Sequence, residues 1–146
     1  MSVLVDTNIL LRRIQPDHVH HALAIDSVAR LIETGEQVHF TLQNISEFWN
    51  VMTRPIAVNG LGFSPAFALD EVTKIEKALT LLPDSPAAYE EWKRLVSIHA
   101  VSGAKMHDAR LVAVMNVHGV RRILTFNASD FVRLEIEALH PLAIVV

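Results

Sequence analysis

The sequence predicts an α/β fold, a three-layer α/β/α sandwich with a central parallel sheet. Three observations lead there. Short apolar runs at Val3-Leu4-Val5, Val38-His39-Phe40-Thr41, Leu79 to Leu82 and Arg122 to Thr125, with a last short strand near Glu137 to Leu139, alternate with longer segments of helical spacing. That alternation is the signature of parallel strands joined by covering helices. Two of the helical segments open on Ser64-Pro65 and Ser85-Pro86, a capping serine followed by proline in the first turn. Hydrophobic residues make up 51% of the chain, enough for a core on both faces of a sheet. The 146 residues suit one domain spanning 1–146.

Taken in order, the Val3 strand stops at Asp6, and Ile9, Leu10 and Leu11 suggest a short helix broken near Pro16. Val19 to Glu33 has helical spacing, with Ala22, Ile25, Val28, Ala29 and Ile32 on one stripe and Gly35 as the closing cap. After the Val38 strand, a helix is expected from about Asn44 to Thr53, stopped by Pro55. Gly60, Gly62 and their neighbours read as a flexible insert. In the Ser85 helix, Ala88, Trp92, Leu95, Val96 and His99 share a face. Asp108 to His118 is apolar nearly all round, which predicts a buried helix ended by Gly119.

Composition narrows the function. The chain has no cysteine, which excludes a disulfide scaffold, a thiolate metal site and a cysteine nucleophile, and fits a cytoplasmic protein. The amino terminus has no basic segment and reaches Asp6 at once, so no signal peptide is expected. No apolar run approaches membrane-spanning length. Net charge is −3, which argues against gripping nucleic acid by charge alone. A mean hydropathy of +0.30 points to apolar surface left for a partner or a twin subunit.

In parallel sheets, ligands bind beyond the carboxyl ends of the strands. Asp6 and Asn127 fall just past strand ends, and Glu47 in the first turn of the following helix. Asp108 is harder to place. Its helix is expected to run antiparallel to the strands and so to start at the opposite end of the sheet, and Asp108 then joins the others only if this is an extra helix inserted at the crevice, with the Ser85 helix making the return crossing. Gathered carboxylates repel unless a cation sits among them. Mg²⁺ and Mn²⁺ prefer such oxygens, and they both neutralise a phosphodiester and activate water. Each acid also has an ordinary structural role. Asp6 can cap a helix, Glu47 can complete a capping box with Asn44, Asp108 favours a helix amino end, and Asp130 is a loop or cap residue.

The motifs in sequence decide between these readings. Val5-Asp6-Thr7-Asn8-Ile9-Leu10 resembles the opening motif of PIN-domain proteins, and Ser46-Glu47-Phe48 their second acidic motif. His107-Asp108-Ala109 with Leu111-Val112-Ala113 resembles the third, and Leu124-Thr125-Phe126-Asn127-Ala128-Ser129-Asp130-Phe131 the fourth. At this length the chain resembles the VapC-type toxins of bacterial toxin–antitoxin pairs. The resemblance implies a PIN-like α/β/α fold, a Mg²⁺- or Mn²⁺-dependent endoribonuclease acting on RNA, a small antitoxin partner and a homodimer. It implies that Asp6, Glu47 and Asp108 are the catalytic acids, with Asp108 facing the site. It further implies products ending in 5′-phosphate and 3′-hydroxyl. The fourth motif departs from the common pattern, because Asn127 stands where many members carry aspartate. Asn127 can offer a neutral oxygen, or Asp130 can reach in instead.

On that basis Asp6 and Asp108 are the expected metal ligands, with Glu47 holding coordinated water or acting as general base. Thr7, Asn8 and Thr125 are expected to fix the carboxylates by hydrogen bonds. Arg12, Arg13, Lys105 and Arg110 are candidates for phosphate contacts, and His107 and the His18, His20, His21 group are left out of the site. Phe48, Trp49, Val51 and Met52 are expected in the core, with an antitoxin groove as the sharper reading. A receiver-like domain fits poorly, since Thr7-Asn8 and not a second acid follows Asp6. A haloacid-dehalogenase-like phosphatase needs aspartate at position 8, which is Asn8. A non-catalytic RNA-binding or scaffold PIN domain remains the alternative.

Overall fold

A computed structural model describes residues 1–146. Five strands, β1 (Ser2–Val5), β2 (Gln37–Thr41), β3 (Thr80–Leu82), β4 (Arg122–Leu124) and β5 (Glu137–Leu139), form one parallel sheet in the order 3-2-1-4-5. The helices are α1 (Thr7–Arg13), α2 (His21–Glu33), α3 (Leu42–Thr53), α4 (Pro65–Ala78), α5 (Pro86–Ile98), α6 (Lys105–Val117) and α7 (Pro141–Val145). No helix is long and apolar enough to cross a membrane.

Side chains alternate across a strand, and here both faces are apolar. Val3, Val5, Phe40 and Leu124 join the core beneath α1 to α4, while Leu4, Leu82 and Ile123 join the core beneath α5 and α6. All three of Val3, Leu4 and Val5 are fully buried, as a central parallel strand requires. The predicted three-layer sandwich is therefore present. The chain steps outward from β1 to β3, then crosses to the other side of β1 for β4 and β5. This reversal falls between β1 and β4, the position at which open parallel sheets generally bind ligands.

The end signals read from sequence behave as expected. Ser64 and Ser85 accept from the Phe67 and Ala88 N–H groups. Gly35, at φ +87°, ends α2 with Glu36 N–H donating to Leu31 O. The strand-to-helix joints are tight. One residue, Asp6, separates β1 from α1, and β2 passes into α3 with none between.

Three expectations need correction. The stripe Ala22, Ile25, Ala29, Ile32 is the outer face of α2, with Ile25 and Ile32 39% and 45% exposed. The inner face is Ala24, Ser27 and Leu31, with Val28 half-buried. Small residues let α2 lie close to its neighbours, and Ser27 can be buried because its hydroxyl donates to Ala24 O at 3.1 Å. Second, α3 begins at Leu42 with Thr41 as its cap, so Asn44 is the third helical residue. Third, the Gly60 segment is not a loose insert. Leu61 and Phe63 donate to Val51 O and Met52 O, both at 2.8 Å, and pack on the core. The short α7, which packs against α2, was not legible in the sequence.

At Gly60 a Cβ would stand 1.8 Å from the Arg54 carbonyl oxygen. Gly60→Ala is expected to cost about 2–3 kcal/mol, read as a lower midpoint in urea unfolding. An unchanged midpoint would mean that this turn relaxes freely.

Candidate active site

Asp6 sits where β1 gives way to α1, directly opposite the end of β4. Its N–H donates to Leu124 O at 2.9 Å. Its Oδ1 accepts from Thr7 N–H at 2.7 Å, and its Oδ2 accepts from the Thr125 hydroxyl at 2.8 Å. Asn8 Nδ2 reaches the same Oδ2 at 3.5 Å and Thr125 Oγ1 at 3.3 Å. Thr125 in turn accepts from the Asn127 N–H at 3.0 Å. Thr7, Asn8 and Thr125 therefore fix the rotamer of Asp6 at the sheet's point of reversal, as expected of them.

Glu47 comes to the same place through a relay that the sequence reading assigned otherwise. Thr41 and Asn44 cap α3 reciprocally, with Thr41 N–H and Oγ1 both donating to Asn44 Oδ1 at 2.9 Å. Asn44 Nδ2 is then free to donate to Thr7 Oγ1 at 3.2 Å, and Thr7 Oγ1 donates to Glu47 Oε1 at 3.3 Å. Glu47 is no part of a capping box and stands exposed. Asn44 is a site-supporting residue whose only sequence signal was its place three residues before Glu47.

The difficulty over Asp108 disappears in three dimensions. α5 and α6 form a hairpin, joined by Trp92 Nε1–H to Met106 O at 3.0 Å. α6 delivers the chain to the amino end of β4 after four residues, so its own amino end lies toward the carboxyl side of the sheet, and no inserted helix is needed. Gln43 Nε2 donates to His107 O at 2.9 Å and ties this end to α3. The half-buried Asp108 follows, and Lys105 Nζ bridges it at 3.8 Å to Asp130 at 2.8 Å.

The charges of Glu47 and Asp108 are both felt at Asp6. Burial pushes Asp6 up from 3.8 to about 6, and the Glu47 and Asp108 carboxylates push the same way against the Thr125 and Thr7 hydrogen bonds. Asp108 is also raised, by burial and then by Asp130, with Lys105 opposing and Glu47 adding to it. Asp130, rather than the exposed Asn127, is thus the further acid that Asp108 meets. Of the basic candidates, Arg13 is committed to Glu71 at 3.0 Å, Arg110 to Asp84 at 3.3 Å, and Arg12 to Gln15 at 2.7 Å. His107 is exposed, and His20 stacks on Phe126 at 4.6 Å. Phe48 and Met52 are fully buried core residues.

The sequence pattern of the PIN domain matches residues 3–137. The chain belongs to the PIN-domain family. No curated protein matches it. Among solved structures, this PIN domain is similar to VapBC2 from Rickettsia felis bound to a DNA fragment from their promoter, with a TM-score of 0.72, 12% identity, and 96% of this chain and 98% of that one covered. It is similar to a toxin–antitoxin complex from Klebsiella pneumoniae at a TM-score of 0.66 and 17% identity, covering 95% and 97%. The sarcin-ricin loop cleaving toxin VapC20 from Mycobacterium tuberculosis matches at 0.57 and 17%, covering 83% and 86%. At such identities the likeness is one of fold.

PIN-domain nucleases generally use divalent metals. In this PIN domain no three His, Asp or Glu side chains are drawn together tightly enough to cage an ion unaided. The donor chemistry nonetheless fits a hard cation. Mg²⁺ keeps several waters and takes only one or two carboxylates directly, so the looser set of Asp6, Glu47 and Asp108 suits it. The raised Asp6 and Asp108 also carry repulsion that a dication would relieve.

Because Asp6 is raised on folding, its ionisation opposes the folded state. Its favourable contribution is complete below about pH 4 and is lost as pH rises through about 6. At pH 7 without metal this amounts to about 3 kcal/mol. Asp6→Asn is therefore expected to raise Tm in EDTA at pH 7, by roughly 6–12 °C, with the gain vanishing near pH 4. A lower Tm at pH 7 would contradict the assigned strain.

Proposed function

We propose that this PIN domain, acting as one unit over residues 1–146, is a Mg²⁺- or Mn²⁺-dependent endoribonuclease. We further propose that it is the cytoplasmic toxin of a type II pair, with a small antitoxin and a homodimeric state. The observation that carries the reading is the buried Asp6 at the reversal point of the sheet, raised in part by the Glu47 and Asp108 carboxylates and linked to Glu47 through Thr7. The similarity of fold to toxins solved in toxin–antitoxin complexes supports the biological role. The exposed apolar stripe of α2 supports a protein partner.

Asp6 and Asp108 would hold the divalent ion, with Glu47 reaching it through water. The ion would neutralise the scissile phosphate and acidify a nearby water. Thr125 and Thr7 keep both oxygens of Asp6 fixed by donating to them. Thr7 engages Glu47 Oε1, which leaves Oε2 to take the proton from the attacking water. Attack at phosphorus breaks the bond to the 3′ oxygen, giving a 5′-phosphate and a 3′-hydroxyl. Asn127 and Asp130 complete the rim, Asp130 through its bond to Lys105. The replacement of an expected aspartate by Asn127 favours a second reading, a non-catalytic RNA-binding or scaffold PIN domain.

Incubation of an end-labelled single-stranded RNA with Mn²⁺ separates the two. Asp6→Asn, Glu47→Gln and Asp108→Asn are each expected to lower the cleavage rate at least about 100-fold, and Thr125→Val about 10- to 100-fold. Expression of the wild type should arrest growth, and Asp6→Asn should not. Binding without cleavage in any divalent metal would establish the scaffold reading instead. Since a proton on Asp6 competes with the ion, Mn²⁺ affinity by calorimetry is expected to drop about tenfold for each pH unit below 6. A flat profile would remove Asp6 from the ligand set.

A further inference from the structure

Beside the acidic crevice lies a separate hollow of about 310 Å³, rimmed by Ser102, Lys105, Ser129, Asp130 and Arg133 over an apolar floor that includes Leu134. Lys105 belongs to both, since its Nζ lies 3.8 Å from Asp108 Oδ2. The hollow therefore borders the acidic residues through Lys105. Within it Lys105 and Asp130 cancel each other through their 2.8 Å ion pair. Arg133 has no carboxylate partner, and its guanidinium donates only to the His99 carbonyl, which anchors one edge and leaves the remaining N–H groups unused. The hollow thus carries net positive charge beside a cluster of acids.

The setting makes that charge informative. A chain of net charge −3 whose Asp6 lies within the field of the Glu47 and Asp108 carboxylates repels a polyanion, so a strand needs an attractive foothold close to the acids. Arg13 and Arg110, two of the other basic residues singled out, are already neutralised by Glu71 and Asp84. Arginine presents planar paired donors that match phosphate oxygens. Ser102 and Ser129 add hydroxyl donors. The volume is at the small end of ligand pockets, suited to one nucleotide rather than to a stretch of strand. Leu134 and Val101 give a ribose an apolar surface.

We propose that this hollow is a subsite for one phosphate-bearing nucleotide of a single-stranded RNA, flanking the bond at the acidic crevice, with Arg133 as its phosphate-gripping residue. The proposal deepens the nuclease reading and rests on it for the nature of the strand.

The test is fluorescence anisotropy of the full chain with a short fluorescein-labelled single-stranded RNA in EDTA, where nothing is cleaved, across a salt series. Mn²⁺-dependent kinetics follow on the same proteins. Arg133→Ala is expected to weaken binding about tenfold and to flatten the slope of log K against log salt by about 0.7, the loss of one phosphate contact. Arg133→Lys should restore the slope but only part of the affinity. In the kinetics, KM should rise with kcat nearly unchanged. Melting curves verify that both variants fold, and Ser102→Ala should weaken binding in the same direction if Arg133→Ala does not fold. Wild type that binds and cleaves RNA with Arg133 and Ser102 variants indistinguishable from it overturns the subsite and leaves the nuclease reading standing. Wild type that binds through Arg133 but cleaves in no metal keeps the subsite and overturns the nuclease reading. Wild type that binds no RNA at low salt overturns the subsite.

Discussion

The molecule is organised around one unfavourable charge. Asp6 is largely withdrawn from water at the end of the central strand, where it faces two further carboxylates and is pushed to about 6. A carboxylate in that position needs fixed donors, and the fold supplies them from two directions. Thr7 N–H comes from the helix that follows it, and the Thr125 hydroxyl from just past the end of β4, nearly 120 residues later. The parallel pairing of β1 with β4 is what makes the second donor possible. Stability is spent locally to hold a group in a state the solvent would not choose, a common feature of sites built for binding.

The other acids depend on that arrangement without touching Asp6. Glu47 is steered by Thr7, and Thr7 by Asn44, so the cap of α3 and the start of α1 form one hydrogen-bonded unit. Asp108 is carried in by α6, whose buried middle, Leu111 to Met115, is pinned in the second core. The Gln43 side chain, which bonds the start of α6 to α3, is buried and leaves its own Oε1 without a partner. An unmet buried acceptor costs about 1–3 kcal/mol. The price is consistent with a contact kept for the alignment of two helices from opposite faces of the sheet.

Much of this was legible in the sequence, because the relevant signals are local. Strand runs, Ser-Pro openings and the closing Gly35 and Gly119 each report on a few neighbouring residues, and all fall where they were read. Asp6, Glu47 and Asp108 were singled out from motif order, and in the fold the Glu47 and Asp108 charges both act on Asp6. What failed depends on long-range packing. α2 has two apolar stripes, and only the placement of α1, β2 and α7 selects the one through Ala24, Ser27 and Leu31 as the inner face. Asn44 was read as a cap because a hydrogen bond to Thr7, 37 residues away, cannot be seen from spacing. Arg133 carried no pattern at all. Its position matters only through the hollow that two distant segments enclose.

The direct passage of β2 into α3 at Thr41 bears on how such a chain can vary over evolution. Between the sheet and Glu47 there is no slack, and each helical residue advances the side-chain direction by about 100°. A single inserted codon anywhere in residues 42–46 would swing the glutamate away from the crevice while leaving the core-facing pattern out of phase. The distance from strand end to glutamate therefore acts as a fixed ruler, with no room for a change of length between Thr41 and Glu47.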